Sequence, residues 1–240
     1  MSNSTAILTG ENLNAGYGKT QVLFDVSFKF KKKLIYAVVG PNGSGKSTFL
    51  KTIFGLTNVY NGSIKFNEKD ITKMAPHEIA KLGIVYVPQV GNVFTSLSVN
   101  DNLIMAGRML SREEKKVRCI DVIEMFPVLK NSLNRKTITL SGGERQMLAM
   151  AMGLLRKPQI MLIDEPTAHL AATVASEILE KIKECKKKLS ITVVLVEQNT
   201  KLALEFSDYA FLLVNGRKMF SGIADELLKD PELGRIYLGL

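Results

Sequence analysis

The chain has 240 residues, 46% hydrophobic and 23% charged, with 32 Lys and Arg against 23 Asp and Glu for a formal net charge of +9. This composition excludes a largely disordered or fibrous chain, and a body of this size can bury a core without disulfides or structural metal. The positive surplus admits nucleic acid, an anionic membrane surface or phosphorylated ligands and does not choose among them.

The N-terminus lacks a basic start followed by a long apolar stretch, so no secretory signal is expected, and no run of about 20 apolar residues suggests a membrane span. Residues 7–13 and 22–30 are rich in branched and aromatic types and read as strands. Lys31 to Lys33 form a basic turn before the apolar run Leu34 to Val39. A Ser/Thr-opened helix is predicted from Ser47 to Phe54, and Asn61-Gly62 signals a hairpin. Ile84 to Val87 is a short strand broken by Pro88-Gln89. Ser98 with Asp101 and Ser111 with Glu114 read as capping boxes. Val117, Ile120, Val122, Ile123 and Met125 supply a helix face, and a further helix runs from Gly143 to Leu155.

Residues 90–155 therefore read as a helical insertion. Alternation then resumes. Ile160 to Ile163 and Ile191 to Val196 are apolar strands, separated by a helix whose face carries Val174, Ile178, Ile182 and Cys185. Asn215-Gly216 closes a hairpin between 210–214 and 217–220, and short helices are predicted at 223–229 and 232–238. Apolar strands alternating with amphipathic helices predict a parallel sheet covered on both faces. Cys119 and Cys185 have no metal-ligand spacing and suit free thiols in a reducing interior.

Gly40-Pro41-Asn42-Gly43-Ser44-Gly45-Lys46-Ser47 fits the pattern G-x-x-x-x-G-K-S/T, with a buried strand before it and a helix after it. Glycines let such a backbone curl into a ring of N–H donors that, with the helix N-terminus, holds phosphates. Lys46 can set its ammonium between β- and γ-phosphates, Ser47 can ligate Mg2+, and Thr48 adds a hydroxyl nearby. The residues alone also fit a plain glycine-rich turn before a helix. A Rossmann site is disfavoured, because G-x-G-x-x-G with a distant acidic partner is missing.

Ile160 to Ile163 ends in Asp164-Glu165. Beside a phosphate loop, Asp164 can orient Mg2+ or its waters, and Glu165 can polarise a water for attack on the γ-phosphorus. Such a strand is expected to lie beside the loop. Acids capping a strand end where the chain meets solvent are the bland alternative. Leu140-Ser141-Gly142-Gly143-Glu144-Arg145-Gln146 marks a further helix start, with Ser141 able to cap and two glycines leaving amides open to an anion.

The phosphate loop, this string and the apolar-Asp-Glu strand, in that order, resemble the ATP-binding subunits of ABC transporters over essentially the whole chain. The resemblance implies an α/β fold over 1–240 as a single domain. That fold has a P-loop NTPase core of mostly parallel sheet with helices on both faces, an N-terminal antiparallel β region and a helical subdomain near 90–155. It implies an ATP hydrolase with ATP and Mg2+ as ligands. Tyr17 matches the adenine-stacking aromatic. Gln89 matches the glutamine that touches Mg2+ and attacking water and senses the membrane partner. Ser141, Gly142 and Gly143 match the signature that contacts the γ-phosphate held by a second subunit in a head-to-tail dimer, homomeric or heteromeric. Transmembrane permease subunits and, indirectly, an external solute-binding protein are the implied partners at the cytoplasmic face of the membrane, and nucleic acid is not expected.

Two positions depart from the family pattern. Gln198 stands where a histidine is usual, so it can donate a hydrogen bond to a γ-phosphate oxygen but cannot carry a proton. Ala171 replaces a common aspartate that helps couple the two sites. The Val196-Glu197-Gln198-Asn199 segment, Met125-Phe126-Pro127 and Tyr237-Leu238-Gly239 look like the shorter ATPase of branched-chain amino acid importers. Phe94, Leu97 and Met105, near Gln89, suit either a groove for a permease helix or ordinary packing. Rival readings are a soluble ABC-type ATPase acting on nucleic acid or ribosomes, and a nucleotide-gated docking subunit with weak hydrolysis.

Overall fold

The computed structural model describes residues 6–233. Ala6–Tyr17 (β1) and Thr20–Lys31 (β2) pair antiparallel, and after Ile35–Val39 (β3) and Lys46–Ile53 (α1) the chain returns as Asn58–Phe66 (β4) and Lys69–Asp70 (β5). β2, β1, β4 and β5, in that order, form one antiparallel sheet. β1 runs on past residue 13 because a bulge, with Asn12 at φ 49°, shifts its register against both neighbours.

Asn61-Gly62 does not turn the chain, contrary to its dipeptide signal. It lies inside β4 opposite that bulge, where a Cβ on Gly62 would stand 2.4 Å from the Glu11 carbonyl oxygen. The hairpin comes at Asn67-Glu68, whose φ angles of 45° and 65° suit a type I′ turn. Pro76–Lys81 (α2) follows.

The second sheet uses Ile84–Val87 (β6), Ile160–Asp164 (β7), Thr192–Val196 (β8), Tyr209–Val214 (β9) and Arg217–Ile223 (β10) in the order β10-β9-β3-β8-β7-β6. Every pairing is parallel except that of β9 with β10, which Asn215-Gly216 joins. Successive side chains take opposite faces. Met161, Ile163, Val193 and Leu195 enter one core, and Ile160, Leu162, Val194 and Val196 enter the other. Both faces are dry, so the strands read as unbroken apolar runs. On the second face α1 is clamped between the two sheets by Phe28, Phe30, Phe49 and Phe211, with Phe49 stacked on Phe211 at 5.2 Å. The acidic strand β7 is separated from β3 by β8 in the sheet, yet its end lies beside the loop that leaves β3, as expected, with Ser47 bonded to Asp164.

The first face carries Val99–Ala106 (α3), Arg112–Met125 (α4), Pro127–Lys130 (α5), Gly142–Leu154 (α6) and Ala172–Leu189 (α7). Ser98 and Ser111 both cap their helices, but only Ser111 with Glu114 completes the expected capping box; Asp101 accepts from the Ser98 hydroxyl instead of the Ser98 amide. The predicted apolar face of α4 is only half buried. Val122 and Met125 face the core, whereas Val117 and Ile120 are more than half exposed, because α4 packs chiefly on α5 and α6 near its C-terminal end. Thr200–Glu205 (α8), Ala224–Leu228 (α9) and Pro231–Leu233 (α10) complete the described chain. Most of the helix predicted at 232–238, with Tyr237, Leu238 and Gly239, lies outside the described residues. Among those described, no helix is long and apolar enough to cross a membrane.

Asn102, fully buried on α3, pins the segment after β6 to the helical region. Its Oδ1 accepts from the Phe94 amide at 2.8 Å, and its Nδ2 donates to Phe94 O, Ser98 O and Thr137 Oγ1. Asn102→Leu strands those groups without partners. It should lower unfolding free energy by about 2 kcal/mol or more in chemical denaturation, and an unchanged midpoint would remove the role.

Candidate active site

The loop between β3 and α1 is shaped by close approach. Gly40 has φ 145°, and a Cβ there would lie 1.9 Å from the Leu213 carbonyl oxygen. α1 opens on Gly45, in the left-handed region at φ 97°, and not on a Ser or Thr cap as predicted. The helix start therefore has no side chain of its own bonded to its amides, which leaves them free for an anion. Lys46 is buried, and its Nζ donates to the carbonyls of Gly40 (2.8 Å) and Pro41 (3.0 Å). Burial lowers its pKa, against the pull of Glu165 and Asp164. Ser44 Oγ is buried without a partner beside the loop, a polar atom ready for a ligand. Gly43 adds a positive φ of 77°, Asn42 and Pro41 complete the exposed rim, and Thr48 is buried on α1.

Although β8 separates β3 from β7, Ser47 reaches across. Its Oγ donates to Asp164 Oδ1 at 2.8 Å, and Tyr86 Oη donates to Asp164 Oδ2 at 3.0 Å. The Ser47 hydroxyl and Asp164 carboxylate form the kind of adjacent oxygen pair that a hard divalent cation takes. Among the described residues no cluster of three His, Cys, Asp or Glu could hold a metal without further ligands. Burial beside Asp164 raises the Tyr86 pKa strongly, keeping it a donor.

Glu165 follows in a left-handed conformation, φ 47°, with its amide bonded to Val196 O at 2.9 Å. A non-glycine residue held there is strained, and such strain clusters at working sites. Gln89, on the segment leaving β6, donates from Nε2 to Glu165 Oε2 at 2.9 Å. Burial raises the Glu165 pKa, helped by the neighbouring Asp164 charge and opposed by Lys46 and His169.

Two residues of this constellation are not among the site residues that the sequence suggests. Tyr86 is one. The other is Glu197, 2% exposed at the end of β8, whose carboxylate accepts from the Thr167 amide (3.0 Å) and from the Gln198 amide (3.2 Å). Burial pushes its pKa up to about 7, with hydrogen bonds from Thr167 and Gln198 opposing and the Glu165 charge adding to the rise. An acid at the end of an apolar strand, followed by a polar pair, was the available hint. Gln198 itself is exposed beside it.

Ser141 stands apart from this group, at the start of α6. Its Oγ accepts from the Glu144 amide while Glu144 accepts from the Ser141 amide, a complete capping box. A Cβ on Gly142 or Gly143 would lie 2.7 Å from Leu170 or Val174, so both glycines let α6 seat against α7 and the turn before it. Tyr17 ends β1 at its hairpin, 42% exposed. The structure thus brings together Lys46, Ser47, Gln89, Asp164 and Glu165; Tyr17 lies within electrostatic reach of Tyr86 beside them, and Ser141 heads a separate helix.

A family model described as "ABC transporter" matches residues 23–168. The chain is 49% identical over 228 residues to a probable branched-chain amino acid transport ATP-binding protein, LivF, of Archaeoglobus fulgidus, covering 95% of this chain and 97% of that one. It is 37% identical to a high-affinity branched-chain amino acid transport ATP-binding protein, BraG, of Pseudomonas aeruginosa, covering 97% and 100%. A solved ADP conformation of an ATP-binding cassette of an ABC transporter superposes with a TM-score of 0.86 at 27% identity, covering 97% of this chain and 98% of that one.

Glu197 makes stability depend on pH with a definite sign. Its folded pKa, about 7, exceeds the ordinary 4.5. The folded chain therefore holds the proton after the unfolded chain has released it, and stability falls as pH rises between these values and levels off above. In urea titrations between pH 5 and 8, Glu197→Gln should remove a decline on the order of 3 kcal/mol. An identical slope in the variant would contradict the assignment.

Proposed function

The chain belongs to the ATP-binding subunits of ABC transporters and is an ATP hydrolase, and from this premise we propose that it powers import of branched-chain amino acids across the cytoplasmic membrane. The single observation that carries the hydrolytic part is the convergence of the Lys46 cradle, the Ser47–Asp164 oxygen pair and the Gln89–Glu165 pair. The transported solute follows from what the relatives with 49% and 37% identity are named for.

On this reading the amides of Gly43 to Thr48 receive the β- and γ-phosphates, and Lys46 exchanges the Gly40 and Pro41 carbonyls for phosphate oxygens. Tyr17 stacks on the adenine. Ser47, Asp164 and Gln89 would hold Mg2+, which neutralises phosphate charge when bound; the paired oxygens of Ser47 and Asp164 suit that hard ion. Glu165, bonded to Gln89 and raised in pKa by burial, draws the proton from the attacking water. Gln198 donates to a γ-phosphate oxygen. Ser141, Gly142 and Gly143 seal the nucleotide of a second ATPase subunit, identical or related, in a head-to-tail dimer, and Ala171 weakens coupling between the two sites.

Residues 1–240 act as one nucleotide-binding domain with the helical part near 90–155. A groove lined by Tyr86, Val87, Pro88, Phe94, Met105 and Met152 opens at Pro88, the residue before Gln89, and suits a cytoplasmic helix of a permease. Leu97 is not among its lining residues. Docked there, the chain sits peripherally on the cytoplasmic face, with an external solute-binding protein acting through the permease and no role for nucleic acid.

Glu165→Gln should leave ATP affinity within a few-fold and cut turnover by at least about a hundredfold. Full activity in that variant would take Glu165 out of the role. Lys46→Ala should weaken ATP binding by at least about tenfold, roughly 1.4 kcal/mol, in equilibrium titration of the full chain. Turnover that rises with the reconstituted permease, and not with DNA or RNA, separates the transport motor from a soluble ATPase. Absence of any such rise would favour a nucleotide-gated docking role.

A further inference from the structure

Glu197 is the one nearly fully buried acid at the strand ends that the proposed chemistry leaves without work. It cannot touch a nucleotide: at 2% exposure, its two oxygens are spent on two backbone amides. Those amides belong to different segments. Thr167 lies two residues beyond Glu165, in the turn leaving β7, and Gln198 is the first residue beyond Glu197 itself, in the turn leaving β8. A second tie joins the same turns, from the Glu165 amide to Val196 O at 2.9 Å. Two hydrogen bonds, Glu165 N–H to Val196 O and Thr167 N–H to Glu197 Oε1, therefore tie the turn that carries Glu165 to the end of β8, and the bond from the Gln198 amide to Glu197 Oε2 holds Gln198 against that anchored carboxyl. Burying a carboxyl to gain two hydrogen bonds is a poor route to stability alone, because desolvation offsets much of what the bonds return. An apolar residue would seal the same strand end at less cost.

We propose that Glu197 is a positioning residue for hydrolysis: by clamping the Thr167 and Gln198 amides it holds Gln198 at a fixed distance from Glu165. The inference rests on the roles given to Glu165 and Gln198 above. Loss of the clamp frees Gln198 to wander from the γ-phosphate, so its cost falls on turnover and not on nucleotide affinity. Removal of the Gln198 side chain removes what the clamp positions, so the two losses overlap.

The test is a double-mutant cycle on the full chain with Glu197→Gln and Gln198→Ala, reading kcat, KM and equilibrium ATP affinity. Glu197→Gln keeps size and one acceptor for Thr167 but turns an N–H2 group toward the Gln198 amide. The expected result is a kcat about tenfold lower in each single variant, ATP affinity within threefold of wild type, and a double variant within twofold of the worse single. Losses that multiply in the double variant overturn the positioning role, as does a wild-type kcat in Glu197→Gln while Gln198→Ala is impaired. A wild-type kcat in both Gln198→Ala and Glu165→Gln overturns the site reading together with the clamp. Should Glu197→Gln not fold, hydrogen exchange of the wild-type chain decides: the Thr167 and Gln198 amides are expected to exchange slowly and to open together, and an unprotected Thr167 amide overturns the proposal.

Discussion

One hydrogen bond organises the working end of this protein. Ser47 stands at the start of α1, Asp164 at the end of β7, and 2.8 Å separates their oxygens although a whole strand, β8, runs between β3 and β7 in the sheet. The bridge ties the turn between β3 and α1 to the acidic strand end. It also solves a solvation problem. Asp164 is 3% exposed, and a carboxylate that deep is costly unless both oxygens are occupied. Ser47 and Tyr86 occupy them. The same pair of oxygens is what a hard cation would take up, so the hydrogen bond that satisfies Asp164 is also the one that cation binding would rearrange.

The rest of the constellation follows from the direction of the strands. In a parallel sheet all carboxyl ends lie along one edge, and ligands bind in the crevice outside that edge. The phosphate loop leaves β3, Gln89 follows β6, Asp164 and Glu165 end and leave β7, and Glu197 and Gln198 leave β8. Four segments far apart in sequence converge because one topology delivers them. Burial of both faces fixes the strands' registers to the residue, since a one-residue slip would exchange the two cores. That rigidity is what allows turns with strained residues, such as Glu165 at φ 47°, to persist.

This division also explains what could be read from the sequence. The loop from Gly40 to Ser47, the acids at 164 and 165 and the capped start at Ser141 are local, with chemistry and spacing contained in a few residues. The parallel sheet was legible because a strand dry on both faces must be apolar throughout. What failed depended on distant partners. Asn61-Gly62 carries a hairpin signal, but the bulge at Asn12, on another strand, claims that glycine for a close approach. Val117 and Ile120 continue an apolar period on α4 that has no neighbour to bury it. Tyr86, Asn102 and Glu197 acquire their partners from register and from helix placement, which no local pattern encodes.

The central claim is that the Ser47–Asp164 bridge is the seat of nucleotide and cation. A crystal structure of the full chain with Mg2+ and a non-hydrolysable ATP analogue tests it most directly. The account predicts the triphosphate within the amides of Gly43 to Thr48, Lys46 Nζ released from the Gly40 and Pro41 carbonyls onto phosphate, and a cation bound at Ser47 Oγ. A nucleotide bound elsewhere, with Lys46 still on its carbonyls and Ser47 still donating to Asp164, would contradict it.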